Sequence, residues 1–177
     1  MIQFPEISLE TIKGVLIDID NTLYEYEPCH QTAIKACYNL VSDKFNLPED
    51  TFIQEYRTHR TAVTNRLSPQ GACRSRYLAF QALCEAHQLP KAYEIALDLD
   101  TCYWETFIDH MTVAADAKTF LEDCVSRQIP VCAVSDMEVQ TQVQKLQKLG
   151  VTDAITYLVT SEETGQEKPA SIMFEYG

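Results

Sequence analysis

Two aspartates spaced one residue apart, Asp18 and Asp20, have the residue type and the spacing that catalysis by paired carboxylates requires. They follow a short apolar run, residues 14–17, which is typical of a strand buried on both faces. Because side chains at i and i+2 of an extended chain point the same way, the carboxylates would repel each other unless a cation or a shared proton separated them. The pattern therefore indicates either a metal-assisted acid pair or an ordinary Asp-Asn-Thr turn after a strand.

The size and charge of the chain limit the classes of function it can have. It has 177 residues, with 26 acids against 14 bases and a formal net charge of −12. This length fits one domain, or one core with a substantial insertion. The negative charge argues against nucleic acid or an anionic membrane surface as the main partner. No apolar run is long enough to cross a bilayer, and residues 1–6 lack the features of a signal peptide. We therefore expect a cytoplasmic protein that binds neither nucleic acid nor membranes.

Cysteine and histidine do not form a recognisable metal site in the sequence. The seven cysteines are an odd number, without a Cys-x-x-Cys pair or a histidine at zinc-binding spacing. We expect reduced thiols in the core, as in a cytosolic protein. The histidines occur singly, and we expect them on helix surfaces; they are His30, His59, His87 and His110.

Apolar periodicity predicts helices throughout residues 26–111, with no strand signal there. From residue 112 onward, helices and strands alternate. We predict a helix at 116–127, a strand at 129–134, a helix that Gly150 ends and a strand at 155–159. The first of these helices is expected to turn four apolar side chains inward: Phe120, Leu121, Cys124 and Val125.

Alternating strands and helices predict right-handed βαβ units and a parallel sheet. We therefore predict an α/β protein with a three-layer, Rossmann-like parallel sheet. Residues 1–25 and 112–177 would form this core, and residues 26–111 would form an all-helical domain inserted after the first strand.

In a parallel sheet the carboxyl ends of the strands meet at one edge. This edge would collect Asp18 and Asp20, then Ser135 after the second strand, and Lys168 in the loop after the third. A carboxylate nucleophile, a second acid, a hydroxyl and a lysine suit phosphoryl transfer. The Ser135 hydroxyl and the backbone N–H groups around it, including that of Asp136, would bind phosphate oxygens, and Lys168 would neutralise charge. Alternatively, Ser135 caps the next helix and Lys168 is a solvated loop residue.

These residues resemble the motifs of a known family, the haloacid dehalogenase superfamily. Residues 18–23, Asp-Ile-Asp-Asn-Thr-Leu, resemble its first motif, residues 131–136 its second, and Lys168-Pro169 its third. The helical segment is similar to the C1-type cap of subfamily I, so the resemblance covers nearly the whole chain. An acid at position 20 implies a phosphatase, because members that cleave carbon–halogen bonds lack it. The first motif is also similar to that of the nucleotidase-like phosphatases.

The resemblance implies a role for each matching residue. Asp18 would be the nucleophile and a Mg²⁺ ligand. Asp20 would be the general acid and base, with its backbone carbonyl on the metal, and Thr22 would orient it. Ser135 would bind the phosphoryl group, and Lys168 would steady both the phosphoryl group and Asp18. The implied function is Mg²⁺-dependent hydrolysis of a small phosphorylated metabolite through an aspartyl-phosphate.

One motif of the family has no counterpart in the sequence. The fourth motif, an acidic pair or Gly-Asp on a further strand, completes the Mg²⁺ site in the family. Two acids near the third motif, Glu162 and Glu163, precede Lys168 instead. The sequence thus predicts a chain truncated before this motif, with its first strand at an unpaired sheet edge. A non-catalytic protein that binds phosphate or a partner is therefore the alternative to the enzyme. A signalling receiver domain is disfavoured, because a helical insertion of this length follows the acid pair.

A block of positive charge lies inside the predicted helical insertion. Between Tyr56 and Phe80 there are five arginines and no acid. If the insertion covers the sheet edge, this block would attract an anionic substrate or contact its leaving group. Alternatively, it is a solvated helix face. The arginines are Arg57, Arg60, Arg66, Arg74 and Arg76.

Overall fold

The computed structural model describes residues 12–176, and its centre is a parallel sheet of three strands. The strands are β1 (Val15–Ile17), β2 (Val131–Ser135) and β3 (Tyr157–Thr160), in the order β1-β2-β3. In the described residues β1 pairs with β2 alone, as expected for an edge strand. The predicted parallel sheet is therefore confirmed, with its carboxyl ends at one edge.

Helices fill the chain between β1 and residue 111, and this segment contains no strand. Four helices and one 3₁₀ turn pack against one another around buried aromatic rings. Tyr56 stacks on Phe80, with ring centroids 4.7 Å apart, and Tyr103 stacks on Phe107 at 5.7 Å. Such burial and stacking account for the stability of the segment. The elements are α1 (Tyr26–Phe45), α2 (Glu49–Leu67), the 3₁₀ turn (Gly71–Arg74), α3 (Arg76–Ala86) and α4 (Ala92–Asp109).

The remaining helices alternate with the strands. Helices α5 and α6 join consecutive parallel strands, and right-handed connections place both on one face of the sheet. Leu121 of α5 and Leu146 of α6 share the main core with Val131 and Ala133 of β2. On the other face, a smaller cluster includes Met173 of α8. The elements are α5 (Ala115–Ser126), α6 (Val139–Leu149), a 3₁₀ turn (Thr152–Ala154), α7 (Ser161–Thr164) and α8 (Ile172–Glu175).

The expectation that β1 is buried on both faces is wrong in the described structure. Leu16 is 51% exposed, whereas Val15 and Ile17 pack on the main core. The smaller cluster on the second face consists of side chains from β2, β3 and α8, and Leu16 is not part of it. Only one side of the first strand is therefore covered.

The predicted inward face of α5 is partly wrong as well. Leu121 and Cys124 are buried, as expected, but Phe120 is 42% and Val125 53% exposed. A helix turns by about 100° per residue, so the neighbours of inward residues point away when the helix packs along one narrow stripe.

Two predicted strand starts also differ, since β2 and β3 each begin two residues later than predicted. Proline has no N–H, so Pro130 contributes only its carbonyl, which accepts a hydrogen bond from Val15 N–H, and the regular pairing of β2 begins at Val131. The loop after β3 contains the short helix α7. Residues 1–11, counted in the predicted core, lie outside the described residues.

All seven cysteines are described as free thiols, and six of them are buried. The prediction that the cysteines lie in the core is confirmed for these six. Separately, within residues 12–176, none of the helices combines the length and the hydropathy that crossing a membrane demands.

Candidate active site

Asp18, directly after β1, is paired with Lys168 at the carboxyl edge of the sheet. Lys168 Nζ donates to Asp18 Oδ1 at 2.7 Å and to the Val134 carbonyl at 3.0 Å. Asp136 accepts a hydrogen bond from the Lys168 backbone N–H at 2.8 Å, so its carboxylate positions the loop that carries the lysine. Asp18 Oδ2 accepts no hydrogen bond from the described residues. One oxygen of a partly exposed carboxylate is therefore free to react or to bind a cation.

Asp20 is held by three side chains. Lys145 Nζ donates to Asp20 Oδ1 at 2.6 Å, Gln142 Nε2 donates to Oδ2 at 3.1 Å, and the Tyr24 hydroxyl donates to Oδ1. Burial alone would raise the pKa of the Asp20 carboxyl, but the Lys145 ion pair and these hydrogen bonds lower it overall. Asp20 is therefore held as a carboxylate.

Ser135 lies at the end of β2 and lines the same cavity as the two aspartates. Its Oγ accepts a hydrogen bond from Gln142 Nε2 at 2.5 Å. The Gln142 side chain is fully buried and bridges Ser135 to Asp20. The alternative interpretation of Ser135 as a helix cap is not what the structure shows, because α6 begins at Val139 and the N–H of that residue bonds to Glu162 Oε2.

The sequence assigned the orientation of Asp20 to Thr22, and the structure corrects this assignment. The chain turns tightly here: Leu23 N–H donates to the Ile19 carbonyl at 3.0 Å, and Asn21 has a φ of 60°. This turn leaves Thr22 exposed, and its hydroxyl makes no hydrogen bond to Asp20 in the described structure. Lys145, Gln142 and Tyr24 orient the carboxylate instead.

A cavity of about 620 Å³ extends from this edge towards the helical segment. Its volume is typical of a site for a small molecule. Four of the five arginines singled out in the sequence line it, namely Arg57, Arg60, Arg74 and Arg76. Arg66 is exposed near the end of α2 and does not line the cavity.

His30 also lines the cavity, contrary to the expectation of a surface position. It lies within hydrogen-bond distance of Tyr103, with 2.9 Å between His30 Nδ1 and the hydroxyl. Burial, and then the charge of Arg76, lower the pKa of His30 from 6.5 to about 4. The imidazole is therefore neutral at physiological pH.

The donors that the resemblance assigns to Mg²⁺ at this edge are Asp18, which has one oxygen free of hydrogen bonds from the described residues, and the backbone carbonyl of Asp20. Mg²⁺ prefers oxygen ligands and is often held by one or two carboxylates together with water and phosphate, so these donors fit the ion. Residues 12–176 contain no group of three or more metal-ligating side chains. Glu162 and Glu163 are exposed and do not line the cavity.

Sequence reasoning missed Lys145 and Gln142. Both lie on the buried face of α6, which also carries Thr141. The sequence carries no signal that separates them from the other polar residues of the helix, such as Gln144 and Lys148. The same holds for Tyr26 and Tyr56, which line the cavity from α1 and α2.

Comparisons with known proteins agree with this geometry. A family model described as haloacid dehalogenase-like hydrolase matches residues 12–177. The chain belongs to this family. Ribulose-1,5-bisphosphate 5-phosphatase from Halopiger xanaduensis is 35% identical over 162 residues, which are 91% of this chain and 68% of the relative.

Two further proteins are similar to the chain. The human N-acylneuraminate-9-phosphatase is 24% identical over 174 residues, or 96% of this chain and 69% of that protein. The crystal structure of 2-haloacid dehalogenase from Pseudomonas syringae superposes with a TM-score of 0.72 at 15% identity, covering 93% of this chain and 70% of the other. The predicted superfamily, α/β fold class and hydrolase activity are thereby confirmed, and the named sequence relatives are phosphatases.

Proposed function

We propose that this haloacid dehalogenase-like hydrolase is a Mg²⁺-dependent phosphatase that hydrolyses a small phosphomonoester through an aspartyl-phosphate on Asp18. The observation that carries the proposal is the pair of Asp18 and Lys168, 2.7 Å apart at the sheet edge, with Ser135 lining the same cavity. The lysine offers positive charge to an incoming phosphate beside the nucleophile.

In the first step, a carboxylate oxygen of Asp18 attacks the phosphorus, and the bond from phosphorus to the leaving oxygen breaks. Asp20 protonates that oxygen. In the second step, water attacks the phosphorus of the aspartyl-phosphate while Asp20 takes its proton, and the bond from Asp18 to phosphorus breaks to release phosphate. Lys168 and the hydroxyl of Ser135 contact the phosphoryl oxygens throughout.

The contacts of Asp20 favour one of its two roles in the described structure. Held as a carboxylate by Lys145, it is in the protonation state of a base. The dianionic phosphate of a substrate would raise its pKa by like-charge repulsion and so favour the acid form. Exchange between these states is what alternate acid and base catalysis requires.

Asp18 and the Asp20 carbonyl would hold Mg²⁺. The ion supplies Lewis-acid stabilisation of charge on the phosphoryl oxygens when it is bound. Residues 12–176 contain no group of three metal-ligating side chains, so water and substrate phosphate would complete the shell.

The helical segment, residues 26–111, would act as the cap that selects the substrate, since it forms the far side of the cavity. A small phosphorylated metabolite suits the cavity volume. The net charge of −12 disfavours nucleic acid and anionic membranes, and seven free cysteines suit a reducing compartment such as the cytoplasm.

The proposal is tested by following the hydrolysis of p-nitrophenyl phosphate with Mg²⁺ and with EDTA. The wild-type protein should hydrolyse this substrate only when Mg²⁺ is present. Asp18→Asn should lose about 10³-fold or more of the activity, because the nucleophile is gone. After acid quenching, digestion and mass spectrometry should locate the phosphoryl group on the peptide that contains Asp18.

Asp43→Asn is the matched control, because its side chain is 80% exposed on α1, outside the cavity. It should keep the wild-type rate. Full activity in Asp18→Asn would overturn the mechanism. Absence of turnover in the wild-type protein, with Mg²⁺-dependent binding of beryllofluoride also missing in calorimetry, would favour a non-catalytic binding protein.

A further inference from the structure

The cavity has two ends with different chemistry. At the sheet edge it is lined by Asp18, Lys168 and Ser135, the residues proposed to handle the scissile phosphate. At the helical end it is lined by aromatic side chains and arginines from α1, α2 and the start of α3. Away from the sheet edge, the acidic residue in the lining is Glu27, which is exposed and bonded to Gln31.

The arginines at the helical end are not all neutralised. Arg74 forms a salt bridge with Glu167, with 2.5 Å between Nε and Oε1. In contrast, no carboxylate of residues 12–176 lies within 4.0 Å of the guanidinium of Arg60 or Arg76. Arg76 is buried and Arg60 is partly buried. A cation removed from water without a counter-ion is unfavourable, so two arginines of this kind in one cavity indicate an anion that binds there.

Arg76 is held rigidly although it lacks a carboxylate partner. Its side chain is 3% exposed. It donates hydrogen bonds to the Tyr26 hydroxyl at 2.8 Å and to the Arg74 carbonyl at 2.6 Å. Its guanidinium carbon lies 5.5 Å from the Tyr103 ring centroid and 5.4 Å from that of Trp104, distances at which cation–π attraction operates. The group is thus pre-organised, which is typical of a recognition site.

Three buried polar atoms around this end have no hydrogen-bond partner. They are Arg60 Nε, Arg76 Nε and the hydroxyl of Tyr56. Native structures pair more than about 90% of their buried polar groups, so three unpaired atoms in one cavity lining are unusual. All three are hydrogen-bond donors, and a multidentate oxyanion is the ligand that satisfies several donors at once.

We propose that Arg60, Arg76 and Tyr56 form a second anion subsite, which binds a phosphate or carboxylate group at the far end of the substrate. The substrate class is then a small phosphomonoester with a second anionic group. This inference rests on the proposed function for the position of the scissile phosphate on Asp18. The arginines are surplus to that phosphate, which has Lys168 and Ser135 at its own end.

The test compares substrates that differ only in the second anionic group. Fructose 1,6-bisphosphate is compared with fructose 1-phosphate and fructose 6-phosphate, and 3-phosphoglycerate with glycerol 3-phosphate. The binding free energy of a charged hydrogen bond is expected to give about a 10- to 100-fold higher kcat/KM for the doubly anionic substrate. A higher kcat/KM for fructose 1,6-bisphosphate than for the fructose monophosphates identifies a phosphate-binding subsite. A higher kcat/KM for 3-phosphoglycerate than for glycerol 3-phosphate identifies a carboxylate-binding subsite.

Arg60→Gln should remove most of this preference, lowering the ratio of kcat/KM between the paired substrates about 10-fold or more. Arg66→Gln is the matched control, since it lies on the same helix but outside the cavity, and it should keep the wild-type ratio. Arg76→Lys, which keeps the charge but loses the planar fork, should lower the ratio as well. Because Arg76 is buried, thermal unfolding is followed alongside, and Arg60→Gln decides the result if Arg76→Lys does not fold.

Calorimetry with the Asp18→Asn protein separates this inference from the proposed function. It measures the Kd for fructose 1,6-bisphosphate and fructose 6-phosphate without turnover, with and without Arg60→Gln. The subsite is supported if the bisphosphate binds with a lower Kd than fructose 6-phosphate and if Arg60→Gln abolishes this difference. This holds even if the wild-type protein hydrolyses nothing. No preference in either substrate set, or equal weakening of both ligands by Arg60→Gln, would overturn the subsite even if the protein is an active phosphatase.

Discussion

Lys145 Nζ lies 2.6 Å from Asp20 Oδ1, and the lysine side chain is only 1% exposed. The ammonium group also lies 5.3 Å from the ring centroid of Trp104 and 5.6 Å from that of Phe107, both on α4. One buried cation therefore connects the catalytic edge of the sheet with the helical segment above it. This contact holds the proposed acid and base in a defined position relative to the cap.

Lys145→Met should reduce both activity and stability. Removing one partner of a buried ion pair leaves an unpaired charge, which costs about 3 kcal/mol. The pKa of Asp20 should rise, because Lys145 lowers it in the wild-type protein. The acid limb of the pH profile of kcat, which reports Asp20 as the base of the second step, should therefore move to higher pH. We expect kcat to fall about 10- to 100-fold with the loss of positioning. Stopped assays across pH and urea unfolding measure these effects.

Lys148→Met is the control for this variant, since Lys148 lies on the same helix but pairs with the exposed Asp109 at 3.1 Å. It should behave like the wild-type protein. Combining Lys145→Met with Asp20→Asn should restore part of the lost stability, because both charges are then absent. An unchanged acid limb in Lys145→Met would show that the pair does not control Asp20.

Lys168→Met should affect chemistry more than folding. The lysine is partly exposed and bonds to Asp18 and to the Val134 carbonyl, so its loss removes charge stabilisation at the nucleophile. We expect kcat/KM for p-nitrophenyl phosphate to fall about 10²- to 10³-fold, as when other transition-state donors are removed. Lys118→Met, at an exposed position of α5, should stay within about twofold of the wild-type protein. Similar losses in both variants would contradict the assignment.

The buried His30 should make the free energy of unfolding depend on pH. Its pKa is about 4 in the folded protein against 6.5 when unperturbed, so the unfolded state binds more protons between these values. The free energy of unfolding therefore rises with pH between about 4 and about 6.5. The stability that the neutral, buried His30 contributes is lost as the pH falls through this range. Allowing for the partial exposure of the ring, we expect a loss of about 1–2 kcal/mol.

Urea unfolding of the wild-type protein and His30→Gln, at pH 7 and pH 4.5, isolates this contribution. Both proteins contain the same other titrating groups, so the effects of those groups cancel when the two changes in the free energy of unfolding are subtracted. His30→Gln should lose less stability than the wild-type protein on acidification. The same loss in both proteins would mean that His30 is not buried as described.

Gly71→Ala should disturb the contact between the helical segment and the core. A Cβ atom at this glycine would lie 2.8 Å from both Cα and N of Glu162, a backbone contact that cannot be relieved by a rotamer change. We expect destabilisation of about 1–3 kcal/mol. KM should rise too, because Arg74 of the same 3₁₀ turn contacts Glu167 of the core.

Gly14→Ala is the matched glycine control. The nearest atom to its added Cβ is the Pro130 carbonyl oxygen at 3.6 Å, an ordinary contact. The melting temperature of Gly14→Ala should differ little from that of the wild-type protein, and steady-state kinetics should give the wild-type KM. Equal melting temperatures for the two variants would argue against the close approach at Gly71.

The sequence by itself determined the order and the type of the residues at the sheet edge. Asp18, Asp20, Ser135 and Lys168 could be predicted together because each follows a predicted strand, and parallel strands end at the same edge. The helical insertion was predictable for a similar local reason, since its apolar residues recur with helical spacing.

Only the tertiary structure decided which side chains surround those residues. On α6 the apolar Val139 and Val143 are both 38% exposed, while the polar Gln142 and Lys145 are buried. Burial of Lys145 depends on the carboxylate of Asp20, which is more than 100 residues away in the chain, and local patterns carry no information about that partner. The arginines could be counted from the sequence, but which of them would line the cavity depended on how the helices pack.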